Sequence, residues 1–172
     1  MKTNQVIDAI LSRRSVRSFT DESLSHEDLE AIVECGRWAP SANNRQGWCF
    51  VAVEDRESIR QLAEAVGAAI GRDGYDMYDP AAIVIVGHAQ GAPFGREDDG
   101  CAMQNMFLAA YSLGIGSVWI NQLQGICGDS AVETELCRLG LDAGYEVHGV
   151  CALGYRDRSG SAPARMSDIV WA

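Results

Sequence analysis

Residues 98–113 read DDGCAMQNMFLAAYSL, and this stretch says more about the architecture than any other. Small and apolar residues fill most of its positions, so a helix here would have no fully polar face. We therefore expect it to be buried nearly all round, as a central helix or as one packed on a partner subunit. Gln104 and Asn105 would then be buried amides that need hydrogen-bond partners. Asp98 and Asp99 mark its N-terminus, where the helix dipole favours negative charge.

Shorter elements are predicted on both sides of this helix. Capping residues and apolar spacing predict further helices at about 4–11, 25–36, 55–70 and 129–139. In the first of them, the apolar residues have the spacing of one buried face: Val6, Ile7, Ile10 and Leu11. Apolar runs predict strands at 49–53, 82–86, 117–120 and 146–153. The strand at 49–53 reads as buried on both faces.

The composition is typical of a folded protein with an acidic surface. The chain has 172 residues, 47% of them hydrophobic, and a formal net charge of −10. This length predicts one domain over residues 1–172. The acidic balance argues against nucleic acid as a partner, because phosphate backbones need a basic surface. No apolar run approaches the ~20 residues of a membrane span and the first residues lack a signal-peptide pattern, so we expect no membrane association and a cytoplasmic location.

Neither the cysteines nor the histidines form a recognisable metal or nucleophile motif. The six cysteines include no Cys-x-x-Cys pair, so we expect small apolar core residues in a reducing compartment and no metal site. His26, His88 and His148 lie in unrelated contexts and are more typical of structural or solvated residues than of catalytic ones. We predict no catalytic side chain. Any chemistry would therefore come from a bound cofactor.

A basic cluster follows the first helix. Arg13, Arg14 and Arg17 lie close together, with Ser12 and Ser15 among them. Like charges repel, and the planar guanidinium group matches a phosphate bidentately, so a phosphate monoester would relieve the repulsion. The alternative is a solvated helix end whose positive charges complement the helix dipole.

Residues 38–48, WAPSANNRQGW, form a second unusual segment, which we call the amide loop. It is long for a connector and rich in amide groups. An amide both donates and accepts hydrogen bonds, which suits the edge of a heteroaromatic ring that carries both kinds of group. The alternative is a turn whose asparagine and serine side chains satisfy their own backbone.

These two segments belong to a series of five blocks. The blocks are RRSVR at 13–17, APSANNRQGW at 39–48, AMQNMFLAA at 102–110, GIGSVWI at 114–120 and ALGY at 152–155. In this order they resemble the nitroreductase family of flavin enzymes, and the resemblance covers Ile10 to Tyr155. The chain departs from the family pattern at Gly47, where proline is usual, and at Asn121 and Gln122, where glycines are usual.

The resemblance implies an α+β fold and a flavin cofactor. The fold would be a three-layer sandwich whose central sheet, mixed but mainly antiparallel, is flanked by helices in an intertwined homodimer. Non-covalent FMN would lie at each subunit interface, with NADH or NADPH as electron donor. A nitroaromatic, a quinone or a similar small molecule would be the acceptor, by a ping-pong mechanism. The tail at 155–172 is expected to dock on the partner subunit.

The resemblance also assigns cofactor contacts to individual residues. The phosphate and the pyrimidine side of the ring would be held by Arg13, Arg14, Ser15 and Arg17. The loop of the other subunit would contribute Pro40, Ser41, Ala42, Asn44 and Gln46. The reactive edge of the flavin would face backbone at Trp119, Ile120 and Asn121, and a second phosphate-binding residue would be Arg165.

Two other functions remain compatible with these residues. The first is a flavin-binding or storage module without turnover, suggested by Asn121 and Gln122 and by a chain that is short for the family. The second is a flavin-free scaffold whose arginines only cap a helix.

Overall fold

The computed structural model describes residues 2–157 and 165–171. In chain order the elements are α1 (Gln5–Ser12), α2 (His26–Arg37), β1 (Trp48–Val53), α3 (Arg56–Ala69), β2 (Ala82–Ala89), α4 (Gly95–Ser112), β3 (Gly116–Ile120), α5 (Ser130–Arg138) and β4 (Tyr145–Gly154). A 3-10 turn, Ala42–Asn44, lies within the amide loop. Each predicted helix and strand is confirmed. The main differences in bounds are that α4 begins three residues before Asp98 and that β2 extends three residues beyond Val86.

Local capping explains where most of the helices begin. The side chain of Asn4 accepts a hydrogen bond from the Ile7 backbone N–H at 2.9 Å, and Ser25 accepts one from the Asp28 N–H at 3.1 Å. Asp55 and Asp129 cap α3 and α5 in the same way. These side chains satisfy backbone donors that have no partner within the helix.

The four strands form one sheet in the order β1-β2-β4-β3, and every pair of neighbours is antiparallel. Within the described residues, parallel pairing is limited to a single bridge between Ser15 and Ser117. The sheet is therefore antiparallel, with this bridge as its one mixed feature. β1 lies at the edge of the sheet and most of its residues are only half-buried, so the prediction that it is buried on both faces was wrong.

Helices cover both faces of the sheet and give the expected three-layer α+β sandwich. One face packs on α3 and α5 around residues such as Leu62, Val66 and Val132. The other face packs on α2 and α4, around residues such as Ile32 and Met106. β2 serves both layers: alternate residues of its fully buried run, 82–88, point into opposite cores.

The first helix does not have the buried face that its pattern predicts. α1 contains no buried residue, and Val6 is 62% exposed, Ile10 48% and Leu11 47%. The apolar stripe forms as predicted, but within the described residues α4 is the main element beside it, and the stripe stays largely exposed. In the described part of the chain, no helix combines the length and apolar character needed to cross a bilayer.

Candidate functional site

The basic cluster lies where α1 ends, against the middle of α4. Arg13 is half-buried, donates from Nη2 to Gln104 Oε1 at 3.1 Å, and places its guanidinium carbon 5.2 Å from the centre of the Phe107 ring. Gln104 is thus one of the two α4 amides for which the sequence predicted a partner. The other, Asn105, donates to the Cys35 carbonyl at 3.0 Å. The contact of Arg13 with Phe107 was not foreseen, since only the folded helix brings the two side chains together.

Arg14 folds back onto the end of α1. Its Nη1 donates to the Leu11 carbonyl at 2.7 Å and to the Arg13 carbonyl at 2.6 Å. These contacts match the helix-capping alternative. The Nε of the same side chain, however, is buried and has no hydrogen-bond partner among the residues that the structure describes. A buried guanidinium N–H left unpaired costs free energy, which an acceptor from outside the chain would recover.

Several positive charges lie close enough here to act on one another. Burial lowers the pKa of Arg13, and the positive charges of Arg14 and Arg165 lower it further. Arg165, which the sequence placed in the tail, is therefore close enough to act on this cluster. Arg17 and Ser15 are exposed beside it. An anion bound here would reverse the effect on Arg13 by favouring its charged form.

The first residues of β3 are hydrogen-bonded to the segment that carries the basic cluster. The residues predicted to face the flavin ring lie at the end of β3 and just after it. The backbone N–H of Val16 donates to the Ser117 carbonyl at 3.0 Å, which fixes the arginines beside β3. The half-buried Trp119 ring lies 6.3 Å from Phe107, so β3 and the Arg13 side chain share one aromatic wall. Ile120 is buried and Asn121 is exposed. The N–H of Asn121 donates to the side chain of its neighbour Gln122 at 3.1 Å.

The amide loop lies near the beginning of α4, away from the arginines. Its Ala42 N–H donates to Asp98 Oδ1 at 2.9 Å, whereas Arg13 contacts Gln104, six positions further along the helix. That separation is about 9 Å along the helix axis. Ser41 and Ala42 are half-buried, while Pro40, Asn44 and Gln46 are exposed. Among the described contacts of one chain, none joins this loop to the basic cluster.

Part of the amide loop satisfies itself, as the turn alternative predicted. Ser41 accepts a hydrogen bond from the Gln46 N–H at 3.0 Å, and the Gln46 side chain donates to Asn44 at 2.8 Å. Asn43, Asn44 and Gln46 all have positive φ values, of 53°, 53° and 49°. Such a backbone is strained for residues other than glycine and persists only when its surroundings hold it.

An apolar groove opens beside these segments, between α1, α2 and α4. Its volume is about 590 Å³, and its walls include Val6, Ala31, Trp38 and Leu108. The Trp38 side chain is 80% exposed at its rim. In the tail, the described apolar side chains are also exposed: Met166, Ile169, Val170 and Trp171. Exposed apolar surface of this extent is typical of a protein interaction site.

Two of the three histidines share one carboxylate, although their sequence contexts suggested no relation. His88 Nδ1 lies 2.9 Å from one oxygen of Asp99, and His148 Nδ1 lies 2.7 Å from the other. Asp99 is fully buried, and burial raises the pKa of its carboxyl group even though both histidine contacts act to lower it. The sequence placed Asp99 only at a helix N-terminus. His26 lies in the first turn of α2, as predicted.

The residues around the basic cluster fit a cofactor that carries a phosphate and a planar ring. The unpaired Arg14 Nε and the exposed Arg17 and Ser15 supply donors for an anion. The aromatic wall of Phe107 and Trp119 lies directly beside them. One chain thus offers donors for a phosphate and an aromatic surface for a ring. No described contact joins the amide loop to these residues, so the loop would serve the site of another copy or have a different role.

Known proteins resemble this chain in both sequence and fold. Residues 10–77 and 73–155 match the family profile described as "Nitroreductase family". The fold is similar to a nitroreductase with bound FMN from Bacteroides fragilis, with a TM-score of 0.86, 34% identity, and coverage of 98% of this chain and 100% of the other.

Two relatives extend the likeness to further organisms. A protein of Archaeoglobus fulgidus, provisionally named an NADH dehydrogenase/NAD(P)H nitroreductase, is 33% identical over 85% of this chain and 82% of its own length. An NADPH-flavin oxidoreductase of Vibrio harveyi is 30% identical over 95% of this chain and 70% of its own length.

Proposed function

Because this chain belongs to the nitroreductase family, we propose that it is an FMN-dependent oxidoreductase that takes electrons from NADH or NADPH. Its acceptors would be nitroaromatics, quinones or similar small molecules. A similar structure holds FMN, and a relative is named an NADPH-flavin oxidoreductase. All six cysteines are free thiols, which is typical of a reducing compartment, so we place the enzyme in the cytoplasm.

The basic cluster would hold the phosphate of FMN. Arg13, Arg14 and Arg17 would neutralise its charge, with Ser15 as a further donor and Arg165 adding charge from the tail. Each charge-assisted contact is worth about 1.5–3 kcal/mol. The backbone at Trp119, Ile120 and Asn121 would face the reactive edge of the ring. The N–H of Asn121 must leave Gln122 before it can donate to the cofactor.

The other half of the site would come from a second copy of the chain. In a homodimer the amide loop of that copy would bring Pro40, Ser41, Ala42, Asn44 and Gln46 to the ring. The groove beside α1 and the exposed apolar residues of the tail support such a dimer. The function would therefore require assembly.

When bound, FMN would supply the redox chemistry, which is hydride transfer from the nicotinamide and electron transfer to the acceptor in a ping-pong cycle. The protein would bind the cofactor, orient its ring and shield one side of it from water. Phe107 and Trp119 would keep one side of the site apolar, and the arginines would fix the register of the cofactor. None of the proposed contacts requires a catalytic side chain.

The unpaired, buried Arg14 Nε within a cluster of three arginines carries this proposal. The test combines Arg13→Ala with Arg17→Ala and titrates FMN into the apoprotein. Loss of two charged contacts is expected to weaken FMN binding by about 10²–10⁴-fold. The control is Arg60→Ala, which removes an exposed arginine paired with Glu57 and Glu64 on α3 and should leave binding unchanged. Purified wild-type protein that is colourless and binds no FMN on titration, or a double variant with wild-type affinity, would contradict the proposal.

The contact of Asn121 with Gln122 supports a second candidate, a flavin-binding module without turnover, because it occupies the N–H that would face the reactive edge. Anaerobic mixing of the FMN-loaded protein with NADH or NADPH separates the two. An enzyme loses its yellow absorbance, whereas a storage module keeps it.

A further inference from the structure

The buried group formed by His88, Asp99 and His148 has no part in the proposed chemistry. Its members come from β2, α4 and β4, and both carboxylate oxygens of Asp99 are used. Each imidazole faces Asp99 with its Nδ1, and an ionised Asp99 would accept a hydrogen bond from both. This fixes the orientation of both rings, and the Nε2 of His88 is directed away from Asp99.

The ring of His88 fills the space between the amide loop and the start of α4. A Cβ atom built on Gly47 would lie 2.9 Å from His88 Nε2, and one built on Gly95 would lie 2.9 Å from His88 Cγ and Cδ2. Trp48 meets the same ring edge-on, with 6.5 Å between ring centres. Gly47 does not have a positive φ, so its backbone alone would accept a side chain. The ring of His88 is what excludes one.

The amide loop is thus held near both ends. Near its beginning, the Ala42 N–H donates to Asp98, and at its end the Ala89 N–H donates to the Gly47 carbonyl at 3.2 Å. Between these anchors lie the three residues with positive φ values: Asn43, Asn44 and Gln46. A segment strained in this way depends on its anchors for its conformation.

We propose that His88, oriented by Asp99, is a positioning residue of the cofactor site: its ring sets where the Gly47 end of the amide loop lies. The inference rests on the proposed function, in which this loop completes the FMN site of a second copy. It also explains why glycine stands at position 47. Any larger residue there would push the loop away from the histidine.

His148 provides a matched control within the same group. It binds the same carboxylate at a similar distance and is largely buried. Its Nε2 lies 3.5 Å from Glu146, and the residue lines a cavity of about 310 Å³ together with Arg96. The three atoms nearest to a Cβ built on Gly47 all belong to His88. Replacing it perturbs Asp99 without removing the support of the loop.

The test is a double-mutant cycle with His88→Ala and Gly47→Ala, read out as FMN affinity of the apoprotein. Each single variant is expected to weaken binding by about tenfold. In the His88→Ala background, Gly47→Ala should add less than about twofold, because the atoms it would meet are gone. His148→Ala should stay within about twofold of wild type. His88→Asn, which keeps a donor toward Asp99, covers the case in which His88→Ala does not fold.

A second measurement separates this inference from the proposed function. Amide hydrogen exchange at residues 41–47 of the cofactor-free protein should be about tenfold faster in His88→Ala and in Gly47→Ala, and unchanged in His148→Ala. If wild-type protein binds no FMN, the proposed function fails, but the exchange data still test the anchor. Equal exchange in His88→Ala and wild type would overturn the inference. So would an effect of Gly47→Ala that is the same in both backgrounds, or an effect of His148→Ala as large as that of His88→Ala.

Discussion

The two faces of the sheet are covered to different degrees. On the face covered by α3 and α5, the apolar residues are buried and the outer surface of α3 carries ion pairs such as Arg60 with Glu57 and Glu64. On the face covered by α2 and α4, a second core is equally well buried, but large apolar side chains beyond it are exposed. Val6 and Trp38 lie exposed there around an open groove.

This difference separates folding from assembly. The core of the α3/α5 face is buried within one chain, so its residues contribute to the stability of that chain. Beyond the α2/α4 face, apolar side chains of the described residues stay in contact with water. The basic cluster, the amide loop and the groove all belong to this second side, where the proposed cofactor site needs a second copy.

The largest expected effect is on the free energy of unfolding and concerns the α3/α5 face. Leu62 is fully buried there, and Leu62→Ala should lower the free energy of unfolding by about 3 kcal/mol through lost burial and a cavity. Urea unfolding at a fixed protein concentration measures this. Gln61→Ala, a change at a neighbouring half-buried position, should cost much less. If Leu62→Ala instead abolished FMN binding by the folded fraction, the separation of the two faces would be wrong.

The next largest expected effect is on dimer formation and concerns the groove on the α2/α4 face. Val6→Glu places a charge on the wall of the groove, and we expect the dissociation constant of the dimer to rise by about 10–100-fold because the charge would be buried without a partner. Sedimentation velocity measures the dimer, and far-UV circular dichroism should show an unchanged fold. Ala68→Glu on the exposed side of α3 is the control. A dimer equally tight in both variants would show that the groove is not the interface.

The smallest effect returns to the α3/α5 core. Burial raises the pKa of Tyr75 to about 12, and its hydroxyl has no hydrogen-bond partner in the described structure. At neutral pH, Tyr75→Phe should therefore be neutral or stabilising by up to about 1 kcal/mol.

The same variant has a defined pH signature. Since the pKa of Tyr75 is raised on folding, its contribution is intact below pH 10, the usual pKa of tyrosine, and is lost as the pH rises toward 12. Wild-type protein should lose about 2–3 kcal/mol more than Tyr75→Phe over this interval. Urea midpoints of both proteins between pH 8 and 12 measure this. Parallel curves would show that the Tyr75 hydroxyl reaches solvent.

The sequence predicted what depends on near neighbours. Helix starts at Asn4, Ser25, Asp55 and Asp129 follow from side chains that cap their own backbone, and each was confirmed. The strands followed from apolar runs. The basic cluster was visible because three arginines are conspicuous in an acidic chain.

What the sequence could not predict depends on distant contacts. The apolar spacing of α1 indicated a buried face, but only the fold shows that this face stays largely exposed among the described residues. The pairing of His88 with His148 through Asp99 joins three elements that are up to 60 positions apart. Gly47 stood out as a departure from the family pattern, but the ring of His88 beside it could be seen only in the folded chain.

The alternating run of β2 has a consequence for cooperativity. Ile83 and Ile85 point to one core while Val84 and Val86 point to the other, so a single strand is a wall of both. Melting either layer would strip half the side chains from that strand and weaken its hydrogen-bonded ladder with β4. The α3/α5 face and the α2/α4 face therefore unfold together. Unfolding of the α3/α5 face also disrupts the surface on which a second copy would dock.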